Sequence, residues 1–219
     1  MQNIRYKAII FDLDGTLLNT LDDLHESVSF ALKALSLPSR TKEETRLAVG
    51  DGIANLIARS IKDGKENPQF ETALSLFRTH YAAHNADRTA PYDGILSLLV
   101  TLRENGIRIG VVSNKIDSAV KSLCRRYFPN LIDYAVGERE GIRRKPCPDS
   151  LLDCIKALSL EPTDCLYVGD SEQDILTAQN ANISSLSVTW GFRDADTLLS
   201  VGASALVNTP DGILAYLTK

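Results

Sequence analysis

Tyr6-Lys7-Ala8-Ile9-Ile10-Phe11-Asp12-Leu13-Asp14-Gly15-Thr16 is the stretch whose reading decides the fold. Its first half is a short apolar run without polar alternation. That pattern suits a strand buried on both faces, as in a parallel sheet. The run stops at Asp12, and a second carboxylate follows at Asp14. Like charges this close repel and raise a pKa unless something positive lies between them. Magnesium would relieve the repulsion, because it takes hard oxygen ligands and binds through one or two carboxylates plus phosphate oxygens. Gly15 lets the chain turn sharply. A plain Asp-Gly surface turn accounts for the same residues without a ligand. An EF-hand loop does not, since the glycine falls too early and no Glu closes the loop.

Similar apolar runs recur at Ile107–Val112, Ile132–Val136, Cys165–Val168, Ser184–Val188 and Ala205–Val207. Between them apolar residues repeat at three and four: Ile95, Leu98, Leu99 and Leu102, then Leu151, Leu152, Ile155 and Leu158 after Pro148. Strands alternating with single helices predict an α/β fold with a doubly wound, mostly parallel sheet. Residues 17–88 break the alternation. Leu21–Leu35, Ile53–Ile61 and Phe70–Ala83 all read as amphipathic helices, punctuated by Pro38, Gly50–Gly52, Gly64 and Pro68. The expected division is a core of residues 1–16 and 89–219 with a helical cap of residues 17–88. An insertion after the first strand lies over that strand's C-terminal end, where open parallel sheets bind ligands.

Composition sets the outer limits. The chain has 219 residues, 44% hydrophobic and 24% charged, with a net charge of −4. Those values suit a globular chain and exclude a disordered or collagen-like one. No apolar stretch is long enough to span a bilayer, and the polar Met1–Lys7 start does not read as a signal peptide. The charge balance offers no basic surface for nucleic acid. Cys124, Cys147, Cys154 and Cys165 form no CxxC pair or zinc spacing, so reduced thiols in a cytoplasmic protein are expected.

Three further motifs follow strands or the loops beyond them. Ser113-Asn114-Lys115 offers a hydroxyl and a backbone N–H for a phosphate oxygen, or simply a helix N-cap. Lys145, between Arg144 and Pro146, can place a fixed charge on a phosphate, or belong to a solvated basic loop. Gly169-Asp170-Ser171-Glu172-Gln173-Asp174 sets two carboxylates one helical turn apart, as ligands or as acidic residues favoured by the helix dipole.

Taken in this order, Asp12/Asp14/Thr16, Ser113, Lys145 and Asp170/Asp174 resemble the four motifs of the haloacid dehalogenase-like hydrolase superfamily: DxDxT, Ser/Thr, Lys and GDxxxD. The resemblance runs from Ile9 to about Arg193. Within it, Thr20–Leu24, Arg46-x3-Gly50-Asp51-Gly52, Tyr92-Asp93-Gly94, Ser113-Asn114-Lys115, Arg144-Lys145-Pro146 and Thr189–Phe192 are similar to the phosphoglycolate phosphatases. Asn19 departs from the usual Asp, and Ser113 stands where Thr is common.

The resemblance implies a magnesium-dependent phosphatase of a small phosphorylated metabolite, phosphoglycolate being the expected one. Asp12 is implied as the nucleophile that forms an aspartyl-phosphate, and Asp14 as the acid and then the base. The metal is implied on Asp12, Asp14 (through its carbonyl) and Asp170, with Asp174 orienting a bound water. Ser113, the Asn114 amide and Lys145 are implied on the phosphate oxygens. Thr16 is placed among the substrate-binding residues, steadying the loop or Asp14, and Arg46, Gly50 and Gly52 are the cap candidates. A monomer or homodimer is expected, with no nucleic-acid or membrane partner. A sugar phosphomutase would want a cap histidine at position 24, which is Leu24, with His25 beside it. A pyrophosphatase of this fold is a further alternative, as is a non-catalytic phospho-ligand binder, which would be expected to lose a motif residue where none is lost here. His80 and His84, spaced i, i+4, could pair on a metal but read as a solvated helix face. Trp190 and Phe192 read as ordinary packing or as a flap at the site.

Overall fold

Ala8, Ile9, Ile10 and Phe11 have no exposed surface, and they form the middle of a six-stranded sheet. The computed structural model describes residues 5–218; the first four residues of the polar start lie outside that range. The chain divides into two units, Met1–Leu18 with Pro91–Lys219, and Asn19–Ala90.

In chain order, β1 (Ala8–Phe11) is followed by β2 (Leu18–Asn19), through which the chain leaves the first unit. The second unit holds α1 (Leu21–Ala34), α2 (Lys42–Ala48), α3 (Gly52–Ser60) and α4 (Phe70–His84). The chain returns through β3 (Ala90–Pro91), which pairs with β2. Then come α5 (Ile95–Glu104), β4 (Arg108–Ile116), α6 (Asp117–Tyr127), β5 (Tyr134–Glu138), α7 (Asp149–Ala157), β6 (Cys165–Gly169), α8 (Glu172–Ala181), β7 (Ser184–Val188), α9 (Ala195–Ser200), β8 (Leu206–Val207) and α10 (Pro210–Leu217).

The sheet order is β5-β4-β1-β6-β7-β8, with every pairing parallel. The fold is therefore α/β with a doubly wound parallel sheet, as the apolar runs predict. β1 sits where the strand order reverses, with Ala8 opposite Arg108 on one side and Cys165 on the other. Open sheets of this kind bind ligands beyond the carboxyl ends of the strands at such a reversal. One face of the sheet packs Ile10, Val112, Val136 and Tyr167 against Leu151, Cys154 and Ile155 of α7 and Ala178 of α8. Each fully buried aliphatic side chain there contributes about 1.5–3 kcal/mol.

One strand differs from its expected extent. β4 runs on to Ile116 and takes in Ser113, Asn114 and Lys115, which sequence reading places after the strand. Its register against β5 shifts between Val112 and Ile116. Gly137 of β5 makes room there, since a Cβ at that position would lie 2.3 Å from the Lys115 carbonyl oxygen.

In the second unit, α1 buries Leu24, Val28, Ala31 and Leu32, and α4 buries Phe70, Ala73, Leu74, Phe77 and Tyr81. α2 carries too few apolar residues for periodicity to reveal it. A capping box starts it instead: Thr41 Oγ1 accepts from the Glu44 amide at 3.1 Å, and Glu44 Oε2 accepts from the Thr41 amide at 2.7 Å. The buried carboxylate of Asp23 accepts from the amides of Arg88 and Thr89, both at 2.9 Å, and from the Thr89 hydroxyl at 2.7 Å. It thereby fastens the start of α1 to the returning segment.

No helix among the described residues is long and apolar enough to cross a membrane. The four cysteines are free.

Candidate active site

The turn after β1 sets the site. Asp12 donates its amide to the Val168 carbonyl, and the amides of Leu17 and Leu18 both bond the Leu13 carbonyl. Gly15 takes φ +88°, and a Cβ there would lie 2.3 Å from Asp170 Oδ2. Gly191 approaches the same side chain, its notional Cβ 2.3 Å from Asp170 Cβ. Two glycines thus leave the space that Asp170 fills.

Asp12, Asp170 and Asp174 come together in that space. All three are buried, and one carboxylate oxygen from each lies within 4.8 Å of the others. Lys145, 2% exposed, reaches into the group. Its ammonium lies 2.7 Å from Asp174 Oδ1 and 2.9 Å from Asp12 Oδ1, with Tyr167 Oη at 3.1 Å and the Val112 carbonyl at 3.3 Å. An ammonium has three protons for those four oxygens. Asp12 Oδ1 is the oxygen left without a well-directed hydrogen bond.

The partners of the other carboxylates are specific. Asp170 accepts from the Thr16 hydroxyl at 2.8 Å and the Phe192 amide at 2.7 Å. Asp174 Oδ2 accepts from the hydroxyl and amide of Ser171, while its Oδ1 accepts from Lys145 and the Tyr167 hydroxyl. Asp14 stands apart from this group, with its two oxygens 2.9 and 3.0 Å from the ammonium of Lys115.

The electrostatics follow from burial and crowding. Burial pushes the Asp12 carboxyl up to about 7; Lys145 opposes the rise, and Asp174 and Asp14 add to it. Asp170 is also raised well above the usual carboxylate range, by burial and then by Asp174 and Asp12. Burial disfavours the Lys145 cation, yet Asp12 and Asp174 outweigh it and hold its pKa well above the ordinary value. The cluster therefore has more buried negative charge than one lysine offsets. A divalent cation fits that deficit, with the under-bonded Asp12 oxygen and Asp170 as side-chain donors.

Several expected residues have further work. Asn114 clamps the main chain of Lys145: its Oδ1 accepts from the Lys145 amide at 2.9 Å, and its Nδ2 donates to the Lys145 carbonyl at 3.1 Å. Ser113 is buried beside it, its hydroxyl oxygen accepting from the Lys115 amide at 3.3 Å. Thr16, expected at the substrate or beside Asp14, is fully buried and gives its hydroxyl to Asp170.

Arg46, Gly50 and Gly52 lie in the second unit, where Arg46 pairs with Glu43 through Nε at 2.8 Å and Nη2 at 2.6 Å. His25, one position from the residue a mutase would need, bonds Thr45 Oγ1 through Nδ1 at 2.9 Å. His80 and His84 stack with ring centroids 4.4 Å apart, but their Nδ1 atoms turn to Ser27 and Asp87. The only group of three or more metal-ligating side chains among the described residues is the aspartate cluster.

Sequence reasoning missed Tyr167 and the role of the Trp190 loop. Tyr167 reads as one more apolar strand residue, and only its hydroxyl marks it as different. Trp190 donates its indole N–H to the Thr16 carbonyl at 3.0 Å, while Phe192 brings its amide to Asp170. These two hydrogen bonds tie the loop to the turn after β1 and to Asp170.

Residues 9–188 match the family described as haloacid dehalogenase-like hydrolase. The chain belongs to that family. Among haloacid dehalogenase-like hydrolases it is 32% identical over 208 residues to a phosphoglycolate phosphatase of Chromobacterium violaceum, covering 93% of this chain and 92% of the relative. It is 29% identical over 226 residues to an N-acetylmuramic acid 6-phosphate phosphatase of Pseudomonas aeruginosa, covering 100% of this chain and 98% of that one. A crystal structure of a candidate phosphoglycolate phosphatase from Lactobacillus delbrueckii subsp. bulgaricus superposes with a TM-score of 0.93 at 34% identity, over 98% of this chain and 99% of the other.

Proposed function

We propose that this hydrolase is a magnesium-dependent phosphatase of small phosphomonoesters, with phosphoglycolate the first substrate to try. The observation that carries the reading is the buried Asp12/Asp170/Asp174 group with Lys145 inside it, at the carboxyl end of the central strand. Nothing in packing alone calls for three carboxylates within 4.8 Å at that point. The phosphoglycolate phosphatase relatives support the substrate choice.

In the first half-reaction an Asp12 oxygen attacks phosphorus, and the ester P–O bond breaks as the new one forms. Asp14 gives the departing alkoxide its proton. In the second half-reaction Asp14 takes a proton from water as that water's oxygen attacks phosphorus, and the bond to Asp12 breaks. Lys145, the Ser113 hydroxyl and the main-chain N–H of Asn114 hold the phosphate oxygens, so that positioning and charge neutralisation supply most of the catalysis. Magnesium would be held by the side chains of Asp12 and Asp170 and by the Asp14 carbonyl, and when bound it neutralises charge on the phosphate and on the carboxylates. Asp174, with both oxygens engaged by Lys145, Tyr167 and Ser171, stands behind those ligands. On this reading residues 17–88 are a cap that screens the site from water.

Phosphate release from a panel containing phosphoglycolate, N-acetylmuramic acid 6-phosphate, hexose phosphates, nucleotides and pyrophosphate tests the proposal. Activity on phosphomonoesters is expected with magnesium and not with EDTA. Asp12→Asn is expected to lose at least a thousandfold in kcat while keeping its far-UV spectrum, within the span of about 10⁶–10¹⁷ by which enzymes accelerate reactions. Wild-type turnover in Asp12→Asn would sink the nucleophile, and transfer of phosphate between sugar positions without release would favour a mutase.

A further inference from the structure

Lys115 is a buried lysine that the phosphatase mechanism above does not use. Its side chain is 3% exposed, and its ammonium lies 2.9 and 3.0 Å from the two oxygens of Asp14. The ammonium therefore straddles the carboxylate and fixes its rotation about the Cβ–Cγ bond. The main chain of Asp14 is fixed separately, by a bridge to Leu18. The fold makes specific room for this lysine. β4 extends past Ser113 to carry it, and Gly137 leaves space for its carbonyl, where any Cβ would collide at 2.3 Å.

Stability alone is a weak account of the pair, because the desolvation of buried charges can exceed their attraction and apolar residues of similar size often do as well. The two buried lysines divide the carboxylates between them: Lys145 pairs with Asp12 and Asp174, and Lys115 gives its ammonium to both oxygens of Asp14.

We propose that Lys115 is a positioning residue for Asp14: its ammonium fixes the rotation of the carboxyl group, so that Asp14 faces the leaving oxygen while it carries the proton it gives up in the first half-reaction, and faces the attacking water as a carboxylate in the second. The inference rests on the phosphatase reading. It assigns no proton transfer to Lys115, which acts only through Asp14.

The test compares wild type, Lys115→Met, Asp14→Asn and the double variant on two esters. One is phosphoglycolate, whose alkoxide needs a proton to leave. The other is p-nitrophenyl phosphate, whose phenolate departs without one. Lys115→Met is expected to lower kcat on the alkyl ester at least thirtyfold, within the about 10²–10⁴-fold that general acid–base catalysis supplies, with KM within about threefold. The initial p-nitrophenolate burst is expected to slow by less than about threefold, because that step needs no acid. Adding Lys115→Met to Asp14→Asn is expected to change either rate by less than about twofold, the mark of two residues acting as one unit.

Lys115→Met with an alkyl-ester kcat within threefold of wild type overturns the proposal. So does a double variant that falls tenfold below Asp14→Asn, since Lys115 would then act by another route. Should Lys115→Met fail to fold around an unpaired carboxylate, the comparison of Asp14→Asn with the double variant decides alone. A wild-type chain that releases phosphate from neither ester overturns the phosphatase reading itself. A wild-type chain that turns over and is matched by Lys115→Met overturns only the role of Lys115.

Discussion

Asn114 shows how much one side chain can organise. Its amide pairs with both the N–H and the C=O of Lys145, the two polar groups of a buried residue that lies outside any strand or helix. Asn114→Ala leaves both main-chain groups without that partner. A buried group that loses its hydrogen bond costs about 1–3 kcal/mol, so the variant is expected to lose stability by that order. Urea denaturation checks it, with a lower midpoint at an unchanged slope as the expected result. The ammonium of Lys145 would also lose its fixed origin, so kcat should fall with stability. A variant as stable as wild type would show that Lys145 is held by its ion pairs alone. Asparagine after a strand reads equally well as a helix cap, which is why the sequence leaves this clamp undetermined.

Strands and helices differ in how openly they were written. The central strands β1 and β6 and the first half of β4 are legible as apolar runs because burial on both faces demands continuous hydrophobicity. α2 escapes that logic, since its start depends on the Thr41–Glu44 capping box and not on apolar spacing. The end of β4 escapes it too, because Ser113, Asn114 and Lys115 are polar residues buried by their partners. The edge of the sheet adds a case of its own at Asp133. Its carboxylate accepts from the Ile109 amide at 2.8 Å and pairs with Arg103 at 2.6 Å and Arg108 at 3.0 Å. Burial alone would raise its pKa, but the amide and the two guanidinium groups outweigh burial and hold it below the ordinary 3.8. A depressed carboxyl stabilises the fold above its unfolded value and loses that contribution as pH falls through the folded one. Asp133→Asn is therefore expected to lower Tm at pH 7, with the gap to wild type closing only below pH 3.8. Thermal melts of both proteins across that range check it; a gap that is the same at pH 3 and pH 7 would assign the effect to packing.

On the proposed reading the three clustered carboxylates give the folded chain a cation affinity that the unfolded chain lacks, since β1 and β6 pairing brings Asp12 and Asp170 together. Magnesium at about 100 times its Kd is expected to add about 2.7 kcal/mol to folding stability. Calorimetry with magnesium against EDTA checks this, and Asp170→Asn should remove most of the rise in Tm. An equal rise in that variant would place the binding elsewhere. The clustering of Asp12, Lys145, Asp170 and Asp174 was legible because DxDxT, Ser, Lys and GDxxxD recur in order; their hydrogen-bond partners were not, because they come from distant segments. The central position of β1 has a further consequence during synthesis. The strand that carries Asp12 leaves the ribosome before both of its neighbours, and β6 is the later of the two, with Lys7 and Asp164 meeting across 157 positions. The helices of residues 19–90 and strand β4 are translated before that loop can close, and loop closure over such a span must precede the contacts that reward it. A nascent chain stalled before Cys165 would hold Asp12, Asp14 and Lys145 but no cation site, so metal-dependent protection from proteolysis should begin only when β6 and α8 have emerged.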